Sequence, residues 1–103
     1  MSAVLRKYEE KDLPGILSIE NESQIAPWKE EIFKKCLSLG SEIWVLDQDN
    51  EVIGFIICLT HEGEAHILNF SVKPIYQRQG FGSRLLNHIV DIKIIKLGFN
   101  YYD

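Results

Sequence analysis

Apolar and polar positions alternate along this chain in stretches that change period several times. "AVLRKY" reads as a short first strand. Asp12 then offers a helix N-cap, and Pro14 falls in the first turn, where its missing N–H does no harm. Leu13, Ile16 and Leu17 form one apolar stripe, with Glu20 following at helical spacing. A second helix is expected after "APW", burying Ile32, Phe33, Cys36 and Leu37 and stopping at Gly40. "EIWVLDQDNEVIGFIICL" predicts two strands joined by a polar turn over Asp47–Asn50. "HEGE" turns the chain again, and "AHILNFSV" makes the next strand. From Gly80 to Leu97 the period is helical, with Leu85, Leu86, Ile89 and Val90 facing a core and Gly98 as the C′ residue. A few residues beyond could begin another strand. The expected order, β-α-α-β-β-β-α, describes a mixed α/β (α+β) fold whose strands pair mainly as antiparallel hairpins.

At 103 residues the chain holds one domain, residues 1–103, with a single core. A hydrophobic fraction of 46% and a charged fraction of 25% are ordinary for a globular protein. The net charge of -4 argues against general nucleic-acid binding, which needs clustered Lys and Arg. Cys36 and Cys58 lie in apolar surroundings without zinc spacing and read as buried thiols in a reducing compartment. The N-terminus turns charged too early for a secretory signal. The longest apolar run, "VIGFIICL", falls far short of a membrane span. These features predict a cytoplasmic chain that needs no metal and no membrane.

Chemistry concentrates in "NFSVKPIYQRQGFGSRLL", residues 69–86. The strand ends near Val72, and Pro74 stops its hydrogen-bond ladder. Gly80 and Gly82 lack Cβ atoms, so backbone N–H groups there can approach a ligand closely. The following helix adds unpaired N–H groups and the positive end of its dipole, and Arg78 adds a charge suited to phosphate. Such a loop can cradle a pyrophosphate. It can equally be a sharp strand-to-helix turn, and the residues alone weigh the two evenly. It matches neither the Gly-x-Gly-x-x-Gly dinucleotide fingerprint nor the Gly-Lys-Ser/Thr of a P-loop.

"QRQGFG", with Gln77, Gly80 and Gly82 in the fixed places, resembles the acetyl-CoA-binding motif of the GCN5-related N-acetyltransferases. "V-x-P-x-Y-Q-R-x-G-x-G", from Val72 to Gly82, looks closest to the branch that acetylates the N-terminal alanine of a ribosomal protein. "DLPGILSIE" and "APWKEEIF" also look like the first two helices of that branch, and the resemblance runs from about residue 3 to residue 98. It implies a mostly antiparallel sheet flanked by helices. It also implies that backbone groups of Phe70, Ser71 and Val72 bind the pantetheine arm. Gln77, Arg78, Gln79, Gly80, Phe81, Gly82 and Ser83 would hold the pyrophosphate. An amine, such as a peptide N-terminus, would then attack the thioester directly within a ternary complex, with Trp28 after Pro27 on the peptide side. The reaction needs a base for the ammonium, groups that polarise the thioester carbonyl and an acid for the departing thiolate.

Family members continue past the long helix with further strands and a last helix, and the resemblance draws the usual base and acid from those regions. This sequence stops at "KLGFNYYD". Tyr101 and Tyr102 read as edge-strand aromatics or a loose tail rather than as the acid. In another branch a glutamate on the fourth strand, eleven residues before the motif's glutamine, serves as base; that position here is His66. The alternative for His66 is an ordinary strand histidine. Glu64 and His61 read as solvated turn residues. Without a neighbouring strand, "HILNFSV" would be an exposed apolar edge that invites pairing, so a homodimer or a partner-completed sheet is expected. Three functions stand: an N-acetyltransferase, a CoA-binding module without turnover, and an interaction subunit that keeps only the architecture.

Overall fold

The computed structural model describes residues 3–92 and 94–97. In chain order these form β1 (Val4–Lys7), a 3-10 turn (Glu10–Asp12), α1 (Leu13–Ser23), α2 (Glu30–Ser38), β2 (Glu42–Gln48), β3 (Glu51–His61) and β4 (Glu64–Val72). A second 3-10 turn (Pro74–Tyr76), α3 (Phe81–Ile92) and β5 (Ile94–Leu97) follow. The strands make one sheet in the order β1-β2-β3-β4-β5. The first four are antiparallel, and β5 joins β4 in parallel. The α/β class and the antiparallel hairpins are as the sequence predicts.

Short turns set the hairpin registers. Asp49 and Asn50 both take positive φ (53° and 70°) between β2 and β3, and Glu62 and Gly63 (51° and 80°) do so between β3 and β4. Such two-residue turns match the twist of the strands they join. α2 ends in a Schellman motif around Gly40, whose φ is 97°. Gly40 N–H donates to the Leu37 carbonyl at 3.1 Å and Ser41 N–H to the Cys36 carbonyl at 3.0 Å.

The sheet buries a core on each face. Leu46, Ile53, Ile56, Cys58 and Ile67 pack with Leu85 and Ile89 of α3 on one side. Ile43, Val45, Phe55 and Ile57 pack with Ile16 and Ile19 of α1 and Phe33 of α2 on the other. At one end Asp12 ties β1, β2 and α1 together. Its carboxylate receives both Arg6 terminal nitrogens (2.9 and 2.8 Å) and the Glu9 N–H (2.7 Å), while Arg6 also donates to Asp47. Asp12 thus occupies the N-cap position without capping through its side chain.

Several expectations are corrected. The third helix ends at Ile92, and Ile94–Leu97 form a strand rather than two more half-turns. Adjacent β-branched isoleucines favour extended backbone, and pairing there satisfies the β4 edge from Glu64 to Ile67. The β4 edge is therefore covered over that half rather than open along its whole length. Ile32 is exposed, leaving Phe33 as the buried anchor of α2 beside half-buried Cys36 and Leu37. Val90 is exposed as well, because it sits about 100° around the helix from Ile89. The expected roles of Gly98, Tyr101 and Tyr102 lie outside the described residues.

Candidate functional site

The site begins where β4 parts from β5. In the β3–β4 register Ile57 faces Asn69 and Cys58 faces Ile67, so Leu68 is an extra, bulged residue. β5 pairs with β4 only as far as Ile67. A bulge bends its strand and re-aims the residues after it. Beyond it, Leu68–Val72 have no strand on that side among the described residues.

Which backbone groups face the open edge is fixed by the ladder. Lys73 N–H donates to the Ile53 carbonyl at 2.8 Å. Alternation along an antiparallel pair then turns Ser71 and Asn69 toward β3, and Phe70 and Val72 toward the open side. Ser71 therefore does not offer its backbone to the edge, a correction to the expected trio of Phe70, Ser71 and Val72. Val72 offers its N–H, but its carbonyl already accepts from Gln77 Nε2 at 2.9 Å and Ser23 Oγ at 3.4 Å. Gln77 thus braces the strand end against the loop.

The loop and helix start supply donors. Arg78 has φ 64° and Gly80 φ 88°, so the backbone is left-handed at both. The first α3 amide that bonds backward is Arg84, to the Gly80 carbonyl at 3.1 Å. The N–H groups of Phe81, Gly82 and Ser83 are left without intrahelical acceptors at the positive helix end. The Arg78 side chain is exposed, Gln79 Nε2 donates to the Ile75 carbonyl at 3.3 Å, and Phe81 packs edge-on against Tyr76.

The two glycines differ in why they are glycine. Gly80 needs the left-handed backbone. At Gly82 no positive φ is required, and an added Cβ would lie 3.9 Å from Phe70 and Val72 side-chain atoms, ordinary contact. Nothing in the fold forbids a side chain there.

Beside the open edge, Gln24, Leu68, Asn69 and Phe70 line a pocket of about 220 Å³. Glu20, only 1% exposed, holds its rim. Its carboxylate accepts from Trp28 N–H (2.9 Å) and Asn69 Nδ2 (3.0 Å), and its carbonyl accepts from Gln24 N–H (3.0 Å). Two larger clefts lie elsewhere. One of about 310 Å³ holds the paired Arg6, Asp12 and Asp47 charges, and one of about 650 Å³ lies between α1 and α2; neither is lined by cradle residues.

The remaining expected residues fall apart from this pocket. Trp28 packs its ring on Phe33 at 5.2 Å and reaches the site through its backbone. His66 sits on the β5-paired half of β4, with Nε2 3.5 Å from Glu64 Oε1. Among the described residues no group of three or more His, Cys, Asp or Glu side chains could hold a metal, and no helix is long and apolar enough to cross a membrane. Sequence reasoning attached no function to Asn69 or Glu20. The available signal was an acidic residue on the apolar stripe of α1.

Known proteins resemble this chain in sequence and fold. Residues 40–102 match the family described as the acetyltransferase (GNAT) domain. The ribosomal protein bS18-alanine N-acetyltransferase of Escherichia coli K12 is 35% identical over 83 residues, covering 81% of this chain and 56% of that protein. Its Haemophilus influenzae counterpart is 30% identical over 88 residues, covering 85% and 60%. The chain thus spans little more than half the length of these curated relatives. The crystal structure of the ribosomal-protein-S18-alanine N-acetyltransferase from Escherichia coli superposes with TM-score 0.81 at 32% identity, over 86% of this chain and 57% of that one. The PaiA N-acetyltransferase of Thermoplasma acidophilum, solved with coenzyme A, superposes with TM-score 0.69 at 22% identity, over 89% and 72%, a likeness of fold.

Proposed function

The chain belongs to the GNAT acetyltransferase family, and on that premise we propose that it takes acetyl-CoA at the open β4 edge and acetylates an amine. The observation that carries the proposal is Gly82, a glycine that the fold does not require, among helix N–H groups that have no acceptor among the described residues. A missing Cβ there leaves room for a phosphate to approach the backbone. Phe81, Gly82 and Ser83 would donate to the pyrophosphate, with Arg78 near it as countercharge. Phe70 and the Val72 N–H would hold the pantetheine arm. Acetyl-CoA supplies an already activated acyl group, so positioning of the amine does much of the work. We propose a protein N-terminal α-amine, alanine first among candidates, because the relatives at 30–35% identity are named for that acceptor.

For the proton, we propose His66 on the same strand, with Nε2 3.5 Å from Glu64 Oε1. Loss of about 10²–10⁴ in rate in His66→Ala would establish the base. An unchanged rate would leave His66 as an ordinary strand histidine beside Glu64. The reading also carries a cytoplasmic location, which two cysteines outside any disulfide fit. It carries self-association through a strand edge as well, tested by light scattering with and without acetyl-CoA.

The deciding experiment is calorimetric titration of acetyl-CoA into the wild type and Gly82→Glu. Binding that the substitution abolishes supports the cradle. A folded wild type that binds nothing would leave Gly80 and Gly82 as turn residues and end the proposal.

A further inference from the structure

We infer that Asn69 receives the acceptor amine through its side-chain carbonyl, and that Glu20 is the positioning residue that fixes the polarity of the Asn69 amide. The inference rests on the acetyl-transfer reading and deepens it.

The arm of the Asn69 amide that meets Glu20 is the NH2 group, which donates to Oε1 at 3.0 Å. The other arm is therefore Oδ1. Among the described residues nothing donates to Oδ1, and it is not one of the buried unpaired polar atoms. It is therefore an accessible acceptor on a residue that lines the pocket. A carbonyl oxygen held there accepts from an ammonium or an attacking amine, and offers nothing to a donor-free group.

Glu20 ties the pocket together from three directions. Its carbonyl holds Gln24, its Oε2 holds the Trp28 N–H, and its Oε1 holds Asn69. Two of the four lining residues are thus fixed by one buried residue. Asn69 stands opposite Ile57, on the α1 face of β4, directly after the bulge at which the strand edge opens.

The test uses a short peptide with a free N-terminal alanine as acceptor. Asn69→Ala should raise its KM roughly tenfold or more, the cost of one hydrogen bond to a charged group. The acetyl-CoA dissociation constant from calorimetry should stay within about twofold, because the cradle is untouched. The exchanged pair Glu20→Gln/Asn69→Asp keeps the internal hydrogen bonds. The introduced glutamine accepts from Trp28 N–H through its oxygen and donates through its nitrogen to the introduced carboxylate. The exchange also turns a carboxylate oxygen to the pocket. Acceptor KM should return to the wild-type value or below and become salt-dependent, which a merely structural role would not produce. An unchanged acceptor KM in folded Asn69→Ala, or an exchanged pair without salt dependence, would overturn the inference while acetyl transfer stands. If the wild type forms no product, the reading beneath it fails. The peptide is then titrated against the Asn69 side-chain amide resonance, and an unmoved resonance overturns this inference too.

Discussion

In Gly82→Ala the new methyl lies 3.9 Å from Phe70 Cε2 and Val72 Cγ2, on a residue whose backbone any amino acid can adopt. Removing a glycine's freedom from the start of α3 should stabilise by about 0.5–1 kcal/mol. For a domain of this size that raises the melting midpoint by about 2–8 °C. The same methyl would stand where a phosphate oxygen approaches the Phe81–Ser83 amides. Weakening even one charge-assisted hydrogen bond by about 1.5–3 kcal/mol lowers affinity by roughly 10- to 150-fold. Scanning calorimetry and acetyl-CoA titration on one sample should therefore move in opposite directions, stability up and affinity down. Gly80→Ala is the control. Its φ of 88° makes alanine cost about 1–2 kcal/mol, so both quantities fall together. If Gly82→Ala melts higher and binds acetyl-CoA as the wild type does, the amides do not contact phosphate and the cradle is refuted. If it melts lower, the contact geometry around Gly82 is wrong.

The remaining predictions concern the framework. Burial opposes ionisation of Asp12, but its bonds from Arg6 and the Glu9 N–H outweigh it and hold the carboxyl below the usual carboxylate range. Its contribution is then present above the unfolded value near pH 4 and lost as pH falls through the lowered one. Asp12→Asn should cost about 1–3 kcal/mol at neutral pH, and much less at about pH 2, in urea melts; an equal cost at both would contradict the ion-pair account. Gly40→Ala, at φ 97°, should cost about 1 kcal/mol by thermal melting, and no loss would mean the Schellman turn is not limiting. Burial pushes the Cys36 thiol up, and Cys58 is fully buried. Both should react with a thiol reagent at neutral pH far more slowly in the folded than in the unfolded chain, and rapid labelling of the folded chain would contradict this placement.

Local chemistry made much of the fold legible. Asp49-Asn50 and Gly63 announce turns because few residues accept left-handed backbone, and Gly40 announces a helix end for the same reason. The candidate loop was legible because its residues are contiguous. The end of α3 was not, since "DIKIIKL" carries apolar residues that satisfy helix and strand periods alike, and pairing with β4 decides between them. Nor was the inward turn of Ser71, which depends on register. Asn69 and Glu20 lie 49 residues apart and meet only through the packing of α1 on β4.

The bulge at Leu68 makes the proposed binding edge a matter of chain length more than of residue identity. Deleting that one residue would restore an unbroken two-residue rhythm along β4 while leaving Asn69 opposite Ile57 and the later residues on their present faces. Asn69 would still face Glu20, but the bend at Leu68 would go, and the edge beyond Ile67 would lie in line to take up further pairing. A change that leaves every side chain of the cradle in the sequence would close the slot in front of it. A search for relatives that keep the fold but have lost acetyl transfer should therefore count residues between "EGEA" and "VKP" before comparing them.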